Sequence, residues 1–370
     1  MRVVMISKAC IVGAYQKKLE ALAREPDIQL TVLTPPSWKD DRGEQPLERA
    51  FTQGYELRVT PIRFNGHFHF HHYPRLAAEL DELQPDLLHI DEEPYNLATR
   101  KAMGLAVKRR IPALFFTWQN IHRRYPFPFG GWERYNYRHA RWAIAGNHDA
   151  AAVLRAKGYA GPIAVIPQFG VDPELFAPSD DPRPDRPFTI GYAGGLVQAK
   201  GVDVLLRACA RLPKPWELRL AGTGPEEARL RDLAQTLGIR EQVRWLGKLP
   251  SLAMPDFLRD LDALALPSRT TPNWKEQFGR VLVEAMACET SVIGSDSGEI
   301  PHVIGEAGLI FPEDDVDALA AHLRRLQSDE TLRQALGQRG RRRVLARFTQ
   351  AQIAQATAAV YRQILDAAGR

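Results

Sequence analysis

Short, mainly apolar runs recur along the first half of this chain, and stretches with helical spacing fill several of the gaps between them. The runs are Val3–Ile6, Leu30–Leu33, Leu87–Ile90, Ala113–Phe116, Ala143–Ala145 and Ala164–Ile166. Between them, Leu19, Leu22 and Ala23 follow a helical period, as do the stretches Leu76–Leu83 and Leu97–Lys108. A run this short and this apolar reads as a strand covered on both faces. Strands alternating with helices then give a parallel sheet between two helical layers. A second series begins at Phe188–Ala193 and continues through Leu218–Ala221, Val243–Leu246, Ala263–Leu266 and Ser291–Gly294. The chain has 370 residues, and a typical domain has about 150, so two α/β domains are expected. The polar, proline-rich stretch Ser179–Pro187 reads as a linker or exposed loop near their boundary. The end of the chain, from about Val316, reads as helical.

Apolar residues make up 45% and charged residues 25%, which excludes a disordered chain. Cys10, Cys209 and Cys288 lie too far apart for a disulfide framework or a Cys-built zinc site. The start is too brief for a signal-peptide core, and no run approaches the roughly 18 apolar residues of a membrane span. A cytoplasmic protein is the expectation.

The net charge of +5 is unevenly placed. Residues 1–170 hold 23 Lys/Arg against 17 Asp/Glu, and the remainder 26 against 27. Segment 100–157 alone holds 12 basic residues against Glu133 and Asp149, interleaved with aromatics such as Tyr125, Trp132, Tyr135, Tyr137 and Trp142. Three readings fit it: a solvated helix with a packed aromatic side, an anionic membrane surface, or nucleic acid. No recognition module is visible for the last, so no nucleic-acid partner is expected.

The richest chemical signal is Glu276-Gln277-Phe278-Gly279-Arg280-Val281-Leu282-Val283-Glu284-Ala285-Met286-Ala287. Two glutamates eight residues apart lie within roughly 80° around a helix axis. Gly279 sits where a helix would begin, and the N–H groups there suit an anion. The pair is either a sugar-and-ribose clamp around phosphates or two surface glutamates of an amphipathic helix. Gly194-Gly195 through Lys200-Gly201 follows a strand directly; its glycines permit close backbone approach, and Lys200 suits a diphosphate. Gly222-Thr223-Gly224-Pro225 and Ser297-Gly298 also follow strands, where ligand loops belong. Neither has dinucleotide or P-loop spacing.

Together with Ile166-Pro167-Gln168-Phe169-Gly170-Val171-Asp172, Phe176 and Pro267-Ser268, these motifs resemble glycosyltransferase family 4 over roughly residues 160–315. The resemblance implies the GT-B fold. That fold has a first Rossmann-like domain (1–170) for the acceptor and a second (171–350) for a nucleotide-sugar donor, facing each other across a cleft. A last helix (351–370) returns to the first domain. It also implies a retaining transferase that needs no metal or other cofactor, acting on a glycan or lipid-linked acceptor. By position, Glu276 would contact the donor sugar, Glu284 the ribose and Lys200 the leaving diphosphate. Gly194, Gly195 and the N–H groups of Phe278, Gly279, Arg280, Val281 and Leu282 would face the phosphates, with Gly247-Lys248 near the base.

Three departures from the family pattern stand out. Gly195 replaces a usual Arg, for which Arg280 or Arg269 is a substitute. Gln168-Phe169-Gly170 is one residue longer than the usual Asn-Gly. Gln119 stands where members often carry a histidine. Gln119, His122 and Gly13 are the candidates on the acceptor side. An epimerase or phosphorylase of the same fold, or a non-catalytic nucleotide-binding or nucleic-acid-binding module, are the alternatives.

Two further clusters are ambiguous. His67, His69, His71 and His72, with the adjacent aromatics, suit a strand or acceptor-side wall, in structural or acceptor contact, or else a metal tract. Asp91-Glu92-Glu93 suits acceptor hydroxyls or a helix cap.

Overall fold

In a computed structural model of the protein, residues 1–40, 43–179 and 186–369 are described. The chain divides into two compact units, Met1–Gly170 with Gln350–Arg370, and Val171–Thr349. The division falls ahead of the proline-rich stretch, which therefore belongs to the second unit; its residues 180–185 lie outside the described residues.

The first unit holds β1 (Arg2–Ile6), β2 (Gln29–Thr34), β3 (Ser37–Asp40), β4 (Gly43–Pro46), β5 (Glu56–Val59), β6 (Leu87–Ile90), β7 (Ala113–Thr117), β8 (Trp142–Ala145) and β9 (Ile163–Val165). Seven of these form a parallel sheet in the order β5-β2-β1-β6-β7-β8-β9, and β3 pairs antiparallel with β4. Side-chain alternation sorts β1 between two cores. Val3 and Met5 pack on the side of the closing helix Gln350–Ala367, with Ile353 and Tyr361. Val4 and Ile6 pack on the other side, with Leu76, Leu80 and Met103. Those belong to α2 (Leu76–Leu83) and α3 (Leu97–Arg109); α1 (Gly13–Ala23), α4 (Phe129–His139) and α5 (His148–Ala156) complete this unit.

The second unit has six parallel strands in the order β12-β11-β10-β13-β14-β15. They are β10 (Phe188–Ala193), β11 (Trp216–Ala221), β12 (Val243–Gly247), β13 (Ala263–Leu266), β14 (Ser291–Ser295) and β15 (Leu309–Phe311). The helices that bear on the site are α6 (Val202–Cys209) and, later in the chain, Arg280–Ala287, which is α9 after α7 (Glu227–Thr236) and α8 (Met254–Arg259). In each sheet the strand order reverses once, between β1 and β6 and between β10 and β13. Loops leaving the carboxyl ends of those strand pairs diverge and open a crevice, which is where open α/β sheets bind ligands.

The histidine run is not a strand. Residues 64–71 are loop and turn, closed by an antiparallel bridge between Arg63 and His72. Its side chains separate: His71 faces Glu92, while His69 packs among Tyr95, Tyr125 and Phe129. The histidines of this run form, among the described residues, no group of three converging metal ligands. Among the described residues, no helix is long and apolar enough to cross a membrane.

Candidate active site

The reversal point of the second sheet brings Lys200 and Glu276 together. Lys200 lies on the loop after β10 and Glu276 on the loop after β13. The Lys200 ammonium donates to Glu276 Oε2 at 2.6 Å, and the Ser268 hydroxyl donates to the same oxygen at 2.9 Å. Glu276 is buried, and its carbonyl accepts from the Glu299 N–H at 3.1 Å. Both the side chain and the backbone of this carboxylate are therefore held.

Glycines allow these loops to touch. Gly222 lies against the Gly194 carbonyl, Gly224 against the Leu196 carbonyl, Gly201 against the Pro267 carbonyl and Gly298 against the Glu276 carbonyl. A Cβ at any of the four would come closer than 3.0 Å to backbone. The two strand-end loops that look like ordinary turns in the sequence are thus the supports of the Lys200 and Glu276 loops. Gly195 differs, since nothing lies within 4 Å of its Cβ direction.

Arg269 is a clasp, not the missing diphosphate cation. Its guanidinium binds Asp203 through two bonds of 2.8 and 2.9 Å, also pairs with Asp314, and donates to the Gln198 carbonyl at 3.1 Å. Its N–H donates to the Ala199 carbonyl at 2.7 Å. It ties the Glu276 loop to the Lys200 loop and has no charge to spare. Arg280 is half-exposed at the start of α9 and pairs with Glu284 at 2.7 Å.

Gly279 caps α9 at φ 73°, a conformation glycine adopts at little cost. Phe278 packs edge-on against Phe348, and Val281 is half-buried. The Leu282 N–H donates to the Gly279 carbonyl at 2.8 Å, so this donor is spent inside the first turn rather than on a phosphate. Burial raises the Glu284 carboxyl above its usual range, against the pull of Arg280. Lys248 is exposed just beyond β12, after Gly247 at φ 66°. A separate cavity of about 680 Å³ opens at the amino ends of β13 and β14, with Arg259, Asp262, Glu289 and Arg333 in its wall. It contains none of the residues above.

In the first unit the reversal point holds Asp91-Glu92-Glu93, and all three carboxylates are engaged within the protein. Asp91 accepts from Ser7 at 2.6 Å and from Gln168 at 2.9 Å. Glu92 pairs with Lys8, lies 3.4 Å from His71, and accepts from Tyr73 at 3.1 Å. Burial opposes its charge, but Lys8 and His71 prevail and hold it at about 2. Glu93 accepts from the Thr117 hydroxyl at 2.6 Å and the Trp118 N–H at 2.8 Å. These residues brace loops and cap no helix; Asp91 and Glu92 are buried and Glu93 is half-buried.

Burial nonetheless raises Glu93 to about 7 from an ordinary 4.5, over the opposing pull of those two bonds. Between about pH 4.5 and 7 the folded chain therefore keeps a proton that the unfolded chain has lost. Stability falls as pH rises through that window and is level above it. Glu93→Gln mimics the protonated form. Its thermal midpoint relative to wild type is expected to rise between about pH 4.5 and 8. Equal differences at both pH values would contradict this.

Of the acceptor-side candidates, Gln119 is buried after β7, with its Oε1 accepting from Lys157 at 3.2 Å and its Nε2 unpartnered. Lys157 pairs in turn with Glu133 at 2.6 Å. His122 is exposed in the following loop. The Gly13 N–H is already taken by Glu48 at 2.7 Å, so its role is to start α1 against that side chain.

The group 1 glycosyltransferase family model matches residues 176–343, and the glycosyltransferase family 4 model matches residues 18–175. The chain belongs to glycosyltransferase family 4. It is 35% identical over 198 residues to a D-inositol 3-phosphate glycosyltransferase of Corynebacterium jeikeium, covering 48% of this chain and 46% of that protein. It is 32% identical over 199 residues to a GDP-mannose-dependent alpha-(1-6)-phosphatidylinositol monomannoside mannosyltransferase of Mycolicibacterium smegmatis, covering 49% and 52%. These matches span about half the length of those relatives. The solved structure of Anabaena Alr3699/HepE in complex with UDP superposes with a TM-score of 0.72 at 19% identity, covering 98% of this chain and all of that one. That likeness establishes the GT-B fold class.

Within family 4, this chain's lengthened Gln168-Phe169-Gly170 has a structural use. Gln168 bonds Asp91 and accepts from the Trp118 indole at 2.8 Å, while Phe169 stacks on Tyr15 with centroids 3.7 Å apart. The extra residue lets both neighbours serve the first unit. Ser268 and Trp274 are site residues that spacing alone did not single out: Ser268 lies only in a Pro-Ser pair, and Trp274 is one aromatic in an otherwise polar loop.

Proposed function

We propose that the protein is a retaining glycosyltransferase. It takes a sugar from a nucleoside-diphosphate sugar and passes it to a hydroxyl of a glycan or lipid-linked acceptor. The observation that carries this reading is the Lys200–Glu276 pair at the reversal point of the second sheet, beside the start of α9. A cation and a carboxylate 2.6 Å apart neutralise each other before the donor arrives. With donor bound, Lys200 turns to the diphosphate and Glu276 to the sugar, where positive charge develops as the glycosidic bond breaks. Lys200 and the N-terminus of α9 supply positive charge at the leaving group, so no divalent metal is required. The departing phosphate oxygen takes the acceptor proton, which suits Gln119, a side chain that can hydrogen-bond but not act as a base.

A panel of UDP- and GDP-sugars tested by thermal shift checks the donor reading. The matching donor raises the midpoint by mass action, and a flat response to the whole panel would defeat it. Glu284→Ala is expected to raise the donor KM about tenfold, with kcat little changed. That split follows from a buried carboxylate that meets the ribose equally in ground and transition states. A fall in kcat alone would reassign it.

An anionic surface is the partner supported by Lys101, Lys108, Arg134 and Arg138, all exposed on α3 and α4, with Phe127 exposed just before α4. The other aromatics of that block are engaged in packing: Trp132 meets Phe70 and Phe129, and Tyr135 stacks under Arg100. Vesicles containing anionic lipid should therefore sediment more protein than neutral ones at low salt, and equal sedimentation would remove this partner.

A further inference from the structure

We infer that Trp274 is a positioning residue for Lys200, holding its ammonium in place without adding negative charge to the donor site. The inference rests on the donor reading above. The Lys200 ammonium lies 4.8 Å from the centroid of the Trp274 ring and 2.6 Å from Glu276 Oε2. It is thus held by a carboxylate and by an aromatic ring. A carboxylate can be drawn off to sugar hydroxyls. The ring face remains, because it attracts a cation through its quadrupole and forms no hydrogen bond that a sugar could compete for.

The chemistry of the loop explains why an aromatic suits this position. A second carboxylate would hold Lys200 more strongly and would repel the incoming diphosphate. An aliphatic side chain would leave the ammonium free to sample the rotamers of a long flexible stem. The indole fixes the cation and leaves its charge available.

The backbone presents the ring rigidly. The Thr271 N–H donates to the Trp274 carbonyl at 2.7 Å, and the Trp274 N–H donates to the Thr271 hydroxyl at 3.0 Å. The Thr271 hydroxyl donates back to the Trp274 carbonyl at 3.2 Å. Two residues later Glu276 is pinned through its own carbonyl, by the Glu299 N–H. One short loop, fastened at two points, therefore carries both the ring and the carboxylate that meet Lys200.

The test is equilibrium binding of UDP and of GDP to the full chain, with a double-mutant cycle between positions 200 and 274. Trp274→Leu is expected to weaken nucleoside-diphosphate binding about 3- to 20-fold, while Trp274→Phe keeps most of the affinity. In a Lys200→Met background, Trp274→Leu should cost nothing more, because its effect runs through the missing ammonium. A merely structural role would add its loss in both backgrounds. In the wild type, nucleotide binding should change indole emission, and Trp274→Phe should abolish that change. Unaltered affinity in Trp274→Leu, or equal losses in both backgrounds, overturns the assignment while leaving the donor reading intact. Failure of the wild type to bind either nucleotide overturns both.

Discussion

Glu276→Ala is expected to lower kcat by about 10²- to 10³-fold, the scale on which removing one preorganised charge-stabilising group acts. The side chain is buried, and its Oε2 receives both the Lys200 ammonium and the Ser268 hydroxyl. Truncation therefore does two things. It removes the carboxylate that faces positive charge as the sugar departs. It also leaves the Lys200 ammonium without its ion-pair partner, against the Trp274 ring alone. The second effect favours an incoming diphosphate, so donor affinity should hold or tighten while turnover collapses. Glu276→Gln separates the two causes. It keeps the volume and can still accept from Ser268, but carries no charge, so its kcat should fall nearly as far as that of the alanine variant. The check is initial-rate kinetics with the donor identified by thermal shift, alongside circular dichroism to show that the fold survives. Wild-type kinetics in Glu276→Ala would end the assignment of this residue, and a loss confined to KM would make it a binding group only.

Much of the scaffold around Glu276 is legible in the sequence. The clearest apolar runs lie at the sheet centres, where both faces are covered and nearly every residue must be apolar; Leu87–Ile90 and Ala263–Leu266 are buried throughout, whereas β9 and β12 are edge strands and only partly buried. The β3–β4 hairpin is not legible for the opposite reason. Its residues Ser37–Asp40 and Gly43–Pro46 are half-buried or exposed, so no core imprints a period on them. β5 shows one buried side chain, Leu57, too little for a pattern. The histidine run misleads because alternation on paper presumes an extended backbone, and here the backbone turns at Phe64 and Gly66.

The site divides along the same line. Lys200, Glu276 and Glu284 carry signals because their loops keep a recognisable spacing from glycines and a helix start. Arg269 does not, since its partners Asp203 and Asp314 are 66 and 45 residues away in sequence. Ser268 reaches its carboxylate only because the loop folds back over eight residues. Nor do the carboxylates of Asp91-Glu92-Glu93 reveal that they are already paired, since Ser7 and Lys8 arrive from another strand end, 84 residues away in sequence. Pairings of this kind are products of topology, and local patterning cannot encode them.

Gly201→Ala is expected to cost much stability for one added carbon. Gly201 has φ 63°, where a Cβ costs roughly 1–2 kcal/mol. That Cβ would also press on the Pro267 carbonyl oxygen, a backbone atom that cannot rotate away as a side chain could. Forcing such a contact apart costs about 1–3 kcal/mol. Together these give a loss of about 3 kcal/mol, which for a unit of this size lowers the thermal midpoint by roughly 6–12 °C. Gly195→Ala is the matched control five residues before Lys200. Nothing lies within 4 Å of its Cβ direction and its φ is not in the left-handed region, so its midpoint should hold or rise slightly. The functional consequence follows from which atoms must move. Gly201 directly follows Lys200, and Pro267 directly precedes Ser268, which bonds Glu276. Relief of the clash parts the loop after β10 from the loop after β13, and so parts Lys200 from Glu276. Gly201→Ala should therefore lose turnover at temperatures well below its own midpoint. Parallel melting curves and initial rates on the two variants check this, and an unchanged midpoint in Gly201→Ala would show that the two loops do not lean on each other there.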